Sequence, residues 1–478
     1  MEQNKRSGAM RAAAAVTLGR VSGTLSRRLG LGGGTSIPGT VARIVDPAII
    51  GRLSDQLARG SIVVTGTNGK TTTSGLIATI LRQAGFRVWR NREGSNLING
   101  VAAALVIRSE LSGHLRRGDN TIAIFEVDEF AFPAVVRELR PRVILINNLF
   151  RDQLDRYGEV ESVAQRWRET LADLSPETTL ALNADDPSIA SLGAGFPGKT
   201  IFYGIDDTRL AIAAAGKASE AGQTIDARAC ATCGADLEYS ARFYSHLGHY
   251  ACPNGDLHRP EPAVKALSLT SEQFDRQRIQ FACGEAISEA TIALPGFYNV
   301  YNALAAASAA QALAVAWAAI TAGLERFRPA FGRGETIEAE GRLLLLMLAK
   351  NPTGFNEVLR ALFAEGAPRN LMLLLNDNAA DGHDISWIWD VDFERLAGQP
   401  LTLTISGTRA DDLAVRLKYA GVSGSVQGNI GAALTQAINE TPAGETLYIV
   451  PTYTAMLAAR GELEHRGYTT AYWEGKDA

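Results

Sequence analysis

The sequence predicts an α/β protein with a larger part on a mainly parallel sheet and a second, smaller Rossmann-like α/β domain. Residues 61–66 (SIVVTG) form a β-branched run ending in glycine, and Thr-Asn-Gly-Lys-Thr-Thr-Thr then leads into an apolar helical pattern at Leu76, Ile77, Ile80 and Leu81. Further β-type runs alternate with helical stretches, as parallel strands joined by crossover helices do. The chain is 478 residues long, enough for roughly three domains of about 150 residues each.

Residues 1–55 form a basic N-terminal arm and leading segment, with Arg11, Arg20, Arg27 and Arg28 set among Ala, Gly and Ser. Glycine and arginine interrupt its apolar runs, unlike the core of a secretory signal. The larger part is expected over 56–330, with strands near 122–127, 143–147, 179–182 and 200–203. Within it, between about 227 and 260, cysteines, tyrosines and histidines crowd together and helical periodicity disappears, which marks an inserted Cys-rich, ribbon-like module. One alanine-rich helix is expected from Tyr301 to about Ala322. Phe331-Gly332-Arg333-Gly334-Glu335 then breaks the pattern and places a junction there. The C-terminal domain, 331–478, alternates strands near 343–348, 371–375, 401–405 and 446–450 with helices such as 356–363 and 411–420.

Composition narrows the function. With 46% hydrophobic and 21% charged residues the chain is globular. Its 47 Lys+Arg against 51 Asp+Glu leave no chain-wide positive field, so no nucleic-acid partner is expected. The aliphatic run 343–348 falls far short of the roughly 20 residues of a membrane-spanning helix, and a cytoplasmic protein is inferred. A second reading sets the basic N-terminal arm against an anionic membrane surface, at the inner face of the cell membrane. Four cysteines are too few for a disulfide scaffold.

The chemistry starts at Gly66-Thr67-Asn68-Gly69-Lys70-Thr71-Thr72, a phosphate loop in which Val64 takes the place of the first glycine of the commonest pattern. Glycines let backbone N–H groups approach phosphate oxygens, Lys70 neutralises the β and γ phosphates, and Thr71 can ligate Mg²⁺. Glu126, closing the 122–127 run, is the natural second protein ligand, because hard cations prefer oxygen and phosphates lie at the carboxyl end of such a sheet. The neighbouring Asp128 and Glu129 read equally well as surface charges.

The GTNGKTTT loop, Asn148-x-x-x-Asp152-x-Leu154-Asp155, Leu182-Asn183-Ala184-Asp185-Asp186-Pro187 and Asn299-x-x-Asn302-Ala303 together resemble the Mur ligase family. FEVDEF, NNLFRDQLDRYGE, SHLGHYACP, NPTGFNE, NDNAADGHDISWIWDVDFE and PTYTAML narrow the resemblance to its branch of lipid II isoglutaminyl synthase subunits, from about residue 35 onward. The resemblance implies ATP-dependent amidation of the α-carboxylate of D-glutamate in the lipid II stem peptide, through an acyl phosphate that ammonia attacks. The residues agree: a carboxylate is a poor electrophile, and coupling it to ATP needs phosphate-positioning donors and Mg²⁺, supplied at Lys70, Thr71 and Glu126. By the same resemblance Asn183 and Asp185 would lie near adenine and ribose, and Asn299 and Asn302 would flank the nucleotide. Lys350, Asn351, Pro352, Thr353 and Asn356 open a helix after a strand, a setting suited to an anion or a substrate carboxylate.

Two departures stand out: Gln153 and Tyr298 replace histidines usual in the family. Their loss favours ammonia over an amino acid as nucleophile. Cys283, in Phe-Ala-Cys-Gly-Glu, lacks the Gly-x-Cys-x-Gly elbow of a glutaminase nucleophile, so a separate glutaminase subunit of the GatD type is implied as partner. Exposed aromatics and acids between 376 and 394, among them Asp377, Asp381, His383, Asp384, Trp387, Trp389, Asp390 and Asp392, suit its interface. Asp384 is the aspartate chosen to orient the partner's catalytic histidine. Cys230-Ala-Thr-Cys233 and Cys252 read as a zinc ribbon in which Gly255 takes the fourth place. Asp256, His258 or His249 would complete a Zn²⁺ site, with Asp256 chosen, or the module folds without metal. Two other functions remain open at this point: an amino-acid ligase of the Mur or folylpolyglutamate type, and a nucleotide-gated scaffold.

Overall fold

The computed structural model describes residues 2–28, 36–91, 95–116, 118–151, 160–212, 216–217, 226–329, 332–363 and 369–469. Asp152, Gln153, Leu154 and Asp155 lie outside the described residues.

A nine-stranded sheet organises the larger part. Its strands are β1 (Ser61–Thr65), β2 (Arg87–Arg90), β3 (Thr121–Glu126), β4 (Val143–Ile146), β5 (Thr179–Asn183), β6 (Lys199–Ile205), β10 (Val264–Gln273), β11 (Arg276–Cys283) and β12 (Ala286–Ile292). They lie in the order β12-β11-β10-β6-β5-β4-β1-β3-β2. From β2 to β10 every pairing is parallel, as the alternating sequence predicts. The centre of β1, Ile62 to Val64, is apolar because both faces are covered: Ile62 and Val64 pack beneath the helix Lys70–Gln83, whereas Val63 joins the core beneath the N-terminal helices. Val143 and Leu145 divide from Ile144 and Ile146 in the same way. The antiparallel extension β10-β11-β12 is not foreseen by the sequence reading; its edge strand is half exposed and carries Glu and Ser among its apolar residues.

The N-terminal arm is helical over Glu2–Arg28, and Ala12, Ala15 and Val16 dock it on the core shared with Ile37–Val45 and Ile49–Ser54. No helix among the described residues is long and apolar enough to cross a membrane.

The single alanine-rich helix expected over 301–322 is instead two, Tyr298–Ala312 and Trp317–Arg326. Ala314 enters the left-handed region (φ 57°), and the Val315 N–H returns to the Ala310 carbonyl at 3.1 Å, closing the first helix without glycine or proline.

The inserted module carries a small sheet of β7 (Gly216–Lys217), β8 (Glu238–Tyr244) and β9 (Leu247–Ala251). The last sheet contains β13 (Arg333–Ala339), β14 (Arg342–Met347), β15 (Arg369–Leu374), β16 (Leu401–Ser406), β17 (Ser425–Gln427) and β18 (Thr446–Pro451), ordered β13-β14-β18-β15-β16-β17. It too has two covered faces, with Leu345 and Met347 in one core and Leu344 and Leu346 in the other.

Candidate active site

β1 is a topological switch point: β3 flanks it on one side and β4 on the other. The loop after β1 therefore opens into the crevice beyond the strand ends, where α/β sheets bind ligands. Gly69 caps the following helix at φ 86°, and a Cβ there would stand 2.1 Å from Asn302 Oδ1. Only glycine fits that position. Gly66 (φ 123°) is similarly confined by the Asn148 backbone, 2.8 Å from where its Cβ would be.

Parallel register sets Glu126 beside Val64, so the end of β3 faces the start of the helix Lys70–Gln83. The Thr71 hydroxyl lies 2.9 and 2.8 Å from the two Glu126 carboxylate oxygens. A hydroxyl and a carboxylate converging beside a phosphate loop are the oxygen donors that Mg²⁺ takes alongside phosphate and water. Lys70 Nζ donates to the Gly66 carbonyl at 2.6 Å and to Glu129 Oε1 at 2.9 Å. Glu129 is thus no surface charge. Burial pushes its carboxyl up, but Lys70, with Lys350 adding to the effect, holds it below its ordinary range. Asp128 is buried as well and, with Lys70, borders the cavity beyond the strand ends.

That cavity, about 530 Å³, is walled by Thr67, Asn68, Gly69, Lys70, Thr71 and Thr72 on one side. Asn299 and Asn302 also border it. Asn302 donates to Asn299 Oδ1 at 2.8 Å and accepts from the Thr73 hydroxyl at 3.2 Å, which ties the helix Tyr298–Ala312 to the loop. Tyr298 reaches the wall too; burial pushes its phenol up to about 12, so it faces the cavity neutral.

Neither Asn183 nor Asp185 borders this cavity. Both are fully buried. Asn183 donates to the Asn147 carbonyl at 3.2 Å. Asp185 takes Arg259 Nε at 2.6 Å, the Ile205 N–H at 2.8 Å and the Tyr301 hydroxyl at 2.8 Å. With its acceptors filled, Asp185 joins β6, the inserted module and the helix Tyr298–Ala312. Asn148, which accepts from the Asn68 N–H at 2.9 Å and borders the cavity, is the asparagine nearer the ligand space.

The opposite wall comes from the C-terminal domain, through Lys350, Thr353 and Glu357 among others. Asn351 binds Asn68 directly: its Nδ2 donates to Asn68 Oδ1 at 3.0 Å, and Asn68 Nδ2 donates back at 3.3 Å. Asn356 turns elsewhere and accepts the Asp392 N–H at 2.7 Å.

Asp384 is exposed, and its Oδ1 accepts the Ser386 N–H at 2.8 Å, which holds its carboxyl below the usual range. It borders a second, smaller cavity of about 110 Å³ together with Trp387 and Asp390. Other acids of this segment have internal partners, Asp377 with Arg409 at 2.8 Å and Asp381 with the Thr454 N–H at 2.8 Å. Trp389 remains 52% exposed and packs edge-on against Tyr419, 76% exposed, while the Arg416 guanidinium lies 5.5 Å over the indole. Tyr419 is a surface aromatic that sequence reading missed; only the helix Ala410–Tyr419 folding beside this loop reveals it.

Cys230, Cys233, Cys252 and Asp256 converge, with one potential ligand atom from each lying within 4.8 Å of the others. All three cysteines are free thiols. Gly234 and Gly255 adopt φ 74° and 81° just after the two Cys turns, and their N–H groups return to the Cys230 and Cys252 carbonyls at 2.9 Å each. Two such turns facing each other with three thiols and a carboxylate fit tetrahedral Zn²⁺. His249 is directed away, to the Ile205 carbonyl at 2.7 Å. His246 is fully buried 3.2 Å from Asp186.

A family model described as the Mur ligase middle domain matches residues 64–254, and one described as the MurT ligase C-terminal matches residues 348–456. A protein of Staphylococcus aureus (strain COL), lipid II isoglutaminyl synthase (glutamine-hydrolyzing) subunit MurT, is 33% identical over 86% of this chain and 89% of its own. The protein of the same name from Streptococcus pneumoniae (strain ATCC BAA-255 / R6) is 32% identical over 94% and 97%. Among solved structures, a pseudomurein peptide ligase type C from Methanothermus fervidus superposes with a TM-score of 0.62 at 22% identity, covering 85% of this chain and 78% of that one, a likeness of fold.

Proposed function

The chain belongs to the MurT branch of the Mur ligase family, and on that premise we propose that it is the synthetase subunit of a lipid II-amidating enzyme. It is an ATP-dependent ligase working as a subunit beside a partner. The substrate carboxylate is the α-carboxylate of D-glutamate in the lipid II stem peptide, and the partner is a GatD-type glutaminase that supplies ammonia.

The observation that carries this reading is the shared cavity: the phosphate loop and the opening of the C-terminal domain face each other across about 530 Å³, within the usual range of ligand sites. A triphosphate held by Thr67, Asn68, Gly69, Lys70, Thr71 and Thr72 would present its terminal phosphoryl group to a carboxylate lying toward Lys350 and Thr353. The carboxylate oxygen takes the phosphoryl group, ADP leaves, and ammonia then displaces phosphate from the acyl carbon. Lys70 must leave Glu129 or share itself with the phosphates, and Asn299 and Asn302 brace the nucleotide side. Thr71 and Glu126 would hold Mg²⁺, which when bound neutralises phosphate charge. Residues 56–330 form the ATP-binding unit on this reading and 331–478 the unit that closes the site.

Asp384 and the exposed pair Trp389 and Tyr419 mark the partner-binding face, where Asp384 would orient the partner's histidine. Cys230, Cys233, Cys252 and Asp256 hold Zn²⁺, which pins the inserted module and takes no part in the chemistry. The helix Glu2–Arg28 exposes Met10, Leu18, Val21 and Leu25 at helical spacing. With Arg11 and Arg28 nearby, that face fits the inner surface of the membrane carrying a lipid-linked substrate.

The test supplies the purified pair with lipid II, ATP and glutamine and weighs the product. One amide per stem peptide is expected, together with its loss in Lys70→Ala. Incorporation of a labelled amino acid instead, or an undiminished Lys70→Ala variant, would sink the proposal.

A further inference from the structure

The larger cavity and the smaller one that begins at Asp384 adjoin: Lys350, Thr353 and Glu357 border both. Glu357 lies in the first turns of the helix Pro352–Phe363 and is only 7% exposed. Its Oε2 accepts from Arg360 Nη2 at 2.6 Å. Arg360 is fixed in turn, donating from Nη1 to the Phe243 carbonyl at 3.0 Å while its guanidinium lies 5.1 Å over the Phe297 ring. Among the described residues the carboxylate receives no other hydrogen bond, which leaves Oε1 without a protein donor.

The nitrogen donor poses a chemical problem at this point. Near neutral pH ammonia in water is almost entirely ammonium, which has no lone pair and cannot attack an acyl carbon. A site using it needs an anion to hold the cation and a base to take its proton.

We propose that Glu357 is that group: it binds the nitrogen donor as ammonium where the two cavities meet and accepts its proton, delivering neutral ammonia to the acyl phosphate. The inference rests on the amide-forming reading above and names a residue for a step that reading left open. The balance is as follows. Ammonium passes one proton to a Glu357 carboxylate oxygen. The nitrogen lone pair forms the C–N bond, the C–O bond to phosphate breaks, and the nitrogen's surplus proton leaves with the departing phosphate. Glu357 resets by releasing its proton to water through the smaller cavity.

The electrostatics suit the task. Burial pushes the Glu357 carboxyl up to about 7, against the pull of Arg360 and Arg395. A base is most effective when it titrates near the working pH. The other titratable groups toward it are the phenols of Tyr244 and Tyr298, both kept neutral by burial, and Lys350 on the shared wall.

The test compares two nucleophiles on the intact pair. Hydroxylamine is already neutral at pH 7 and needs no base, so hydroxamate formed from lipid II and ATP reports the acyl phosphate alone. Glu357→Gln should lower amidation from ammonium on the order of 100-fold while hydroxamate formation stays near wild type, and Glu357→Asp should recover part of the loss. Equal loss with both nucleophiles, or an unchanged rate with ammonium, would overturn the role. If the Gln variant does not fold, the Asp variant makes the same comparison: it must slow amidation more than hydroxamate formation, or the proposal fails. A wild-type enzyme that forms no hydroxamate would instead refute the amide-forming reading itself, and this inference with it.

Discussion

Lys70 and Glu129 form a buried ion pair at 2.9 Å. Removing one member of such a pair strands the other, typically at a cost of about 3–5 kcal/mol. Glu129→Gln is therefore expected to lower the melting temperature without nucleotide and to enlarge the stabilisation that Mg-ATP brings, because phosphate then replaces the missing anion. Thermal unfolding with and without nucleotide measures both. Glu357 gives a pH signature. Its native carboxyl titrates at about 7 against an ordinary 4.5, so between those values the native state binds more protons than the unfolded chain. Stability should fall as pH rises through that window and level off above it, by at most about 3 kcal/mol. Glu357→Gln should flatten that slope in denaturant titrations at a series of pH values.

At the level of elements, the loop after β1 tolerates no side chain where the helix begins. Gly69→Ala would set a Cβ against Asn302 in a left-handed backbone, and loss of nucleotide binding is expected even if the fold survives, read by calorimetry. The Cys module depends on its two turns. Chelation should unfold it locally and lower the melting temperature, while Asp256→Cys should retain or tighten zinc and Cys230→Ser should lose it, as metal analysis would show. The break between Tyr298–Ala312 and Trp317–Arg326 shows what periodicity misses. Alanine favours helix throughout the stretch, and packing against the helix Lys70–Gln83 overrides that local preference.

Across the whole molecule, the Asn68–Asn351 bonds join the nucleotide loop to the C-terminal domain. Asn351→Ala should weaken coupling between ATP binding and carboxylate activation, raising the KM for lipid II more than that for ATP. On the outer face, Asp384→Asn should abolish glutamine-driven amidation and spare amidation from ammonium. Trp389→Ala with Tyr419→Ala should weaken assembly with the partner, measurable by co-purification.

Much of this was legible in the chain itself. The β1 run, the glycine–lysine–threonine loop and Glu126 lie close to invariant local rules: a doubly covered strand must be apolar, a phosphate cradle needs glycine, and a hard cation needs oxygen. Those local rules set the parallel α/β class, the loop, the Thr71–Glu126 pair and the cysteine spacing. Which acids are buried, and whom they meet, depends on how distant segments pack. Glu129 and Glu357 resemble any surface carboxylates in a line of letters, until folding sets one beside Lys70 and one between two cavities. A carboxylate's chemistry is fixed by desolvation and neighbouring charge, and both come from residues distant along the chain.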